Sequence, residues 1–167
     1  MRSRQIALSG KMASGKTTLA NYLVSERSYA LLSTSAQCRR VSNIMFGDER
    51  RDHLNAIGDA LRTIDDCIWV KSLTRSLDST SSFVLDSVRH LSEALYLRSI
   101  GFEIWRVTVD RNERQRRLAS RDSTQTDLAD EGHPSETELD DFDFDLVVVA
   151  TDASYPAVAA RMSSNNR

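Results

Sequence analysis

Eight consecutive residues near the start of the chain combine residue types in a spacing that does recognisable chemistry. Gly10-Lys11-Met12-Ala13-Ser14-Gly15-Lys16-Thr17 matches the pattern G-x-x-x-x-G-K-[ST] at every defined position. The two glycines allow a tight turn whose backbone N–H groups point inward at phosphate oxygens, and a helix starting at the loop adds its positive N-terminal end. Lys16 has the reach for the β- and γ-phosphates, and the Thr17 hydroxyl is a ligand for Mg²⁺. Thr18 continues the same first helical turn. The context agrees: the apolar run QIALS (5–9) precedes the loop and TTLANYLVSE (17–26) follows it. The expected ligands are ATP and Mg²⁺.

What receives the phosphoryl group must be read from later residues. Asp86 ends the apolar run FVLD, where a carboxylate would hold the metal through water; a plain turn is the alternative. Arg89 follows at the mouth of the presumed cleft as a candidate for an acceptor phosphate, with a surface ion pair as the alternative. Glu93 stands four residues beyond Arg89 and would orient it. Arg111, Arg114, Arg116, Arg117 and Arg121 crowd one short helix, and Arg114, Arg117 and Arg121 share a face. Such crowding costs stability unless anions compensate. Phosphates would do so in phosphoryl transfer; so would the acidic residues within 127–145. Arg39, just beyond the second apolar run, and Arg62, closing IGDALR, are further acceptor candidates, and a plain helix surface is as good a reading of each. Trp69 and Tyr96 lie among apolar residues at helical spacing and read as core more readily than as base-stacking platforms.

These residues need a frame. Apolar runs at 5–9, 29–33, 82–86, 102–109 and 146–150 read as strands. Between them, helices are expected over 16–25, 36–46, 51–64, 66–77, 91–99, 111–121 and 155–162, the last with Pro156 in its first turn. Continuous apolar strands alternating with helices imply a parallel sheet covered on both faces, a doubly wound α/β domain whose ligands lie beyond the carboxyl ends of the strands. One domain spans 1–167, with an acceptor-binding helical segment at 35–80 and a lid-like segment at 111–143. The stretch 122–143 is polar, acidic and too long for a plain connection, which favours a lid over a solvated loop.

Composition bounds the rest. The chain has 167 residues, 40% of them hydrophobic and 28% charged, enough for one core. The net charge of −2 argues against a nucleic-acid coat or a polybasic membrane binder. That sum conceals a division: residues 1–121 carry a net +7 and residues 122–167 a net −9, and 19 of the 22 basic residues are Arg. Biased codon usage explains the Arg excess as well as anion recognition does. No signal-like or membrane-length apolar run is visible, and Cys38 and Cys67 have no CxxC spacing, so a reduced cytoplasmic protein is expected. His53, His90 and His133 form no metal-ligand pattern. The size leaves no room for the added strands and sensor modules of motor or AAA-type ATPases, and no NKxD-type guanine motif is present. A small kinase is the better expectation.

The loop, IGDALR…D…WV (57–70), LDSVRHLSEA (85–94) and HPSETELDDFDFDLVV (133–148) together resemble the small P-loop nucleoside monophosphate kinases, most of all the deoxynucleoside monophosphate kinases of bacteriophages and their actinobacterial relatives. The resemblance implies a P-loop three-layer sandwich with a five-stranded parallel sheet and a small lid, transferring the γ-phosphoryl group of ATP to a (deoxy)nucleoside monophosphate. On that basis Lys16 and Thr17 take the triphosphate and metal, and Arg89 matches the Arg of the family's D-x-R-like segment, though Asp86-Ser87-Val88-Arg89 differs slightly in spacing. With the residues read above, the catalytic candidates are Lys16, Asp86, Arg89, Arg117 and Arg121. Gly10 to Thr18, Arg117 and Asp152 are the candidates for the nucleotide, Thr17 and Asp86 for the metal, and Ser35, Arg39, Arg62, Trp69 and Arg89 for the acceptor. The family's strand-end segment usually carries an acidic residue where this chain has Ala36. Animal phosphomevalonate kinases share similar late motifs, so a small-metabolite kinase is the rival enzyme reading, and a non-catalytic nucleotide-binding regulator the rival from another class. Expected partners are small nucleotides, with neither nucleic acid nor membrane, and a homodimer is the candidate assembly.

Overall fold

Each of the five apolar runs becomes a strand: β1 (Gln5–Ser9), β2 (Ala30–Leu32), β3 (Phe83–Leu85), β4 (Phe102–Thr108) and β5 (Leu146–Val149). All pair in parallel in the order β2-β3-β1-β4-β5, which puts the strand leading into the loop at the centre. This computed structural model describes residues 3–78, 80–120, 137–151 and 154–158. Between the strands run α1 (Lys16–Arg27), α2 (Thr34–Phe46), α3 (Arg51–Arg62), α4 (Ile68–Thr74), α5 (Leu91–Ser99) and α6 (Arg111–Ser120). Residues 154–158 are helical, covering the start of the helix expected over 155–162; the rest of that span lies outside the described residues.

The period-two geometry of β1 explains the layers. Ile6 and Leu8 point to one face and pack with Leu19 and Leu23 of α1, Trp105, Val107 and Tyr155. Ala7 points to the other and packs with Val70 of α4, Leu97 of α5, Ile104 and Leu139. Ile6, Ala7 and Leu8 are all fully buried. The fold is therefore an α/β sandwich with helices on both faces of a five-stranded parallel sheet.

Element ends differ from the sequence expectation for local reasons. Helix α1 runs two residues further and stops at Ser28, whose left-handed backbone (φ 57°) turns its N–H onto the Leu23 carbonyl. Helix α2 starts two residues earlier because the Ser33 side chain accepts from the Ala36 N–H and caps it. Helix α4 is shorter than 66–77; at its entrance the Asp65 carboxylate accepts from the Cys67 N–H and pairs with Lys71 at 2.6 Å. Helices α2 and α3 bury little: Ser42 is the buried residue of α2, and α3 has none. They pack on each other and on α4 at the edge of the core.

Candidate active site

The loop between β1 and α1 is shaped by its own backbone. Gly10 has φ 147°, and a Cβ there would lie 2.3 Å from the Val107 carbonyl oxygen of β4. Gly15 has φ 101°, and its Cβ would lie 2.9 Å from both the Ala150 Cβ and the Tyr155 hydroxyl. Only glycine fits either position. Ala13 adopts the left-handed region (φ 62°), and the Ser14 N–H closes the turn on the Lys11 carbonyl at 3.1 Å. Lys16 Nζ folds back over the turn and donates to the carbonyls of Gly10 and Lys11 at 2.5 and 3.0 Å. No side chain caps α1, so its first-turn N–H groups face the loop. Thr17 and Thr18 are exposed at that end, and the buried Ser14 hydroxyl has no hydrogen-bond partner. The arrangement is a cradle for phosphate oxygens.

Asp86 lies where β3 ends, beside the central strand. Its N–H bonds the Leu32 carbonyl at 3.0 Å, and two residues on the Val88 N–H bonds that of Leu8 at 2.8 Å. Burial pushes its carboxyl up from the ordinary value, opposed by a hydrogen bond with Ser33 and the positive charges of Lys16, Arg89 and Arg39. Its Oδ1 is buried with no hydrogen-bond partner. A hard anionic oxygen so placed, together with the Thr17 hydroxyl, fits Mg²⁺, which takes one or two protein ligands and completes its shell with water and phosphate. Among the described residues no cluster of three or more His, Cys, Asp or Glu makes a self-sufficient metal cage.

Arg117 of helix α6 reaches the loop: its Nη1 lies 3.4 Å from where a Gly15 Cβ would be. Glu113, one turn earlier, accepts from Arg117 Nε at 2.8 Å and pairs with Arg116 at 2.5 Å. Those two guanidiniums, Arg117 first, hold the Glu113 carboxyl low. Part of the crowding in α6 is thus compensated within the helix. Arg121 and Asp152, expected at the site from the sequence, lie outside the described residues, as does most of the expected lid.

The acidic segment is described from residue 137 onward, and there it is docked. Glu138 accepts from the Leu91 N–H at the start of α5 and lies 2.9 Å from His90 Nδ1. Leu139 is buried in the core. Asp140 pairs with Arg106 at 2.5 Å and lies 3.6 Å from Lys11 of the loop. Arg98 and Arg106 lie over the rings of Phe142 and Phe144. This strap joins the loop region to the turn that carries Arg89.

The acceptor candidates divide. Arg89 is exposed; its Nε donates to Ser87 Oγ at 3.4 Å and its N–H to Glu93 Oε2 at 3.3 Å. Arg62 comes from α3 to the same carboxylate, 3.5 Å from Glu93 Oε1. Arg39 lies 3.6 Å from Glu49 in an exposed groove of about 670 Å³ also lined by Ala36, Arg40, Asn43, Ile44 and Glu49. Ser35 is exposed and touches Ser33 Oγ at 3.1 Å. Trp69 is 4% exposed and its indole N–H reaches the Gly58 carbonyl at 3.4 Å, so its ring has no free face for a base and instead packs α4 against α3. Sequence reasoning missed Ser33 and Glu113. A Ser before a helix start and a Glu four residues before an Arg were the available signals.

A family model described as AAA domain matches residues 6–138. No curated protein sequence matches. A candidate kinase from Chloroflexus aurantiacus superposes with a TM-score of 0.63 at 17% identity, covering all of both chains. The shikimate kinase of Bacteroides thetaiotaomicron does so with a TM-score of 0.63 at 10% identity over 96% of this chain and 97% of that one. The Acinetobacter baumannii shikimate kinase, solved with shikimate, gives 0.59 at 14% over 98% and 95%. At these identities the likeness is one of fold. The family carries the AAA name that the size argument set aside, yet its match stops at residue 138.

Proposed function

The chain belongs to this AAA domain family, and from that premise we propose that it is an ATP-dependent phosphotransferase acting on a small acceptor, a (deoxy)nucleoside monophosphate. The observation that carries the reading is the position of Asp86. The charge of Lys16 from the phosphate loop and those of Arg89 and Arg39 from the acceptor side all act on its carboxylate. That one carboxylate feels charges from the loop and from the proposed acceptor side supports a donor and an acceptor meeting there. The loop N–H groups and Lys16 would hold the triphosphate, and Arg117 above Gly15 would neutralise charge on the transferring group. Thr17 and Asp86 would hold Mg²⁺, which supplies further neutralisation of phosphate charge when bound. Arg89, Arg62 and Arg39 would take the anionic group of the acceptor. In-line transfer between phosphates needs no covalent intermediate and no nucleophilic side chain.

A second reading, transfer to a hydroxyl of a non-nucleotide metabolite, is favoured by the raised carboxyl of Asp86, since a hydroxyl acceptor requires a base near the loop. The fold likeness to two shikimate kinases supports that reading equally. ADP release measured across the (deoxy)nucleoside monophosphates and a set of hydroxy acids, shikimate included, separates the two. Acceleration by a monophosphate is expected. Acceleration by a hydroxy acid alone would move the assignment to the second reading, and tight ATP binding with no accelerating acceptor would leave a regulatory nucleotide-binding module.

A further inference from the structure

Glu93 is the one buried charged side chain among the described residues, 2% exposed. An ionised carboxylate is withdrawn from water only at a cost of several kcal/mol unless partners compensate it. Here the partners come from two separate parts of the chain. Oε2 accepts the backbone N–H of Arg89, in the turn after β3. Oε1 faces Arg62 Nη2 of α3, 31 residues earlier in sequence, at 3.5 Å. That second contact is an ion pair too long and too poorly aligned for a hydrogen bond. Glu93 Oε1 and Arg62 Nε are both buried with no hydrogen-bond partner. The carboxylate thus draws the Arg62 guanidinium toward α5 without saturating it, and the same carboxylate accepts from the backbone from which Arg89 projects.

We infer that Glu93 is a positioning residue that sets Arg62 and Arg89 as a two-guanidinium clamp for the anionic group of the acceptor, a phosphate monoester or a carboxylate. The inference deepens the proposed acceptor side and rests on that reading. Neutralising Glu93 would release Arg62 from α5 while leaving an oxygen to accept the Arg89 N–H, so the loss falls on acceptor binding and spares the triphosphate loop.

The test compares wild type, Glu93→Gln and Arg62→Lys. Acceptor affinity is titrated calorimetrically with the loop saturated by ADP, and KM is measured separately for ATP and acceptor. The probes are the four deoxynucleoside monophosphates and shikimate, which distinguish a phosphate from a carboxylate ligand. Both variants are expected to weaken acceptor binding and raise acceptor KM at least about tenfold, with the KM for ATP changed less than about twofold. Combining them should add little to either alone, because Glu93→Gln removes the charge that draws Arg62 into place and Arg62→Lys removes the guanidinium so placed. Unchanged acceptor constants in Glu93→Gln, or ATP and acceptor constants rising together, would overturn the clamp. If that variant does not fold, Arg62→Lys decides on the same split. Wild type that binds a probe without phosphorylating it sinks the phosphotransfer reading and leaves the clamp standing. Wild type that phosphorylates a probe while the variants match it does the reverse, and wild type that binds no probe overturns both.

Discussion

The two halves of the site are built from different materials. The donor half is main chain: two glycines whose positive φ no other residue adopts cheaply, a turn closed by N–H to carbonyl bonds, and an uncapped helix end, with Lys16 folded over them. The proposed acceptor half is side chain: Arg39 from α2, Arg62 from α3, Arg89 and Glu93 around the start of α5. A backbone cradle is continuous in sequence, so its parts cannot be separated by small shifts of helices. A side-chain cluster collected from several helices depends on how those helices pack, and α2 and α3 bury almost nothing. One fold can therefore keep its triphosphate and change its acceptor.

Removing the lysine proposed to hold the triphosphate should have the largest effect. Lys16→Ala is expected to lower kcat roughly 10²–10³-fold, as loss of a single charge-stabilising donor does, and phosphotransfer at the wild-type rate would break the assignment of this half. Gly15→Ala attacks the backbone itself. Its Cβ meets Ala150 and Tyr155 at 2.9 Å in a left-handed conformation, so a loss of about 1–3 kcal/mol is expected, read as a lower Tm together with weaker ATP binding. An unchanged Tm would show that the cradle is not backbone-determined. On the other half, Arg89→Ala should lower kcat/KM for the acceptor at least about tenfold, ~1.4 kcal/mol, with the ATP constants nearly unmoved; equal losses on both sides would erase the distinction between halves.

The smallest effect on stability concerns Asp86, at the seam. Its folded-state pKa lies above the unfolded one, mainly through burial. Between those two values the folded state holds more protons, so ligand-free stability falls as pH rises through that window and stays lowered above it. Asp86→Asn carries no such penalty. It should raise the ligand-free Tm by a few degrees at neutral pH, converge with wild type below the ordinary carboxylate value, and lose activity. A lower Tm at neutral pH would make the carboxylate structural.

What could be read from sequence follows the same division. The five strands were legible because continuous apolar runs need both faces of the sheet covered, and the loop because its chemistry is contiguous. Glu93 could be placed beside Arg89 by helical spacing, yet its pairing with Arg62 required knowing where the fold brings the end of α3, which no local rule encodes. The acidic stretch read as lid-like; its described end, from residue 137, is tied down by Glu138, Leu139 and Asp140, contacts that exist only once β4 and α5 are in place. Ser33, which both caps α2 and bonds Asp86, was hidden because its second partner lies 53 residues away.

The neighbours of the two loop glycines set an order of events during synthesis. Gly10 and Gly15 leave the ribosome well before Val107, Ala150 and Tyr155, whose atoms enclose them, and β1 has no strand beside it until β3 and β4 have been made. A nascent chain thus carries the whole motif long before it carries the site. Nucleotide becomes available as a folding ligand only once β5 and Tyr155 have been made, and a ribosome stalled after α3 would present a loop held by its own turn but not yet enclosed.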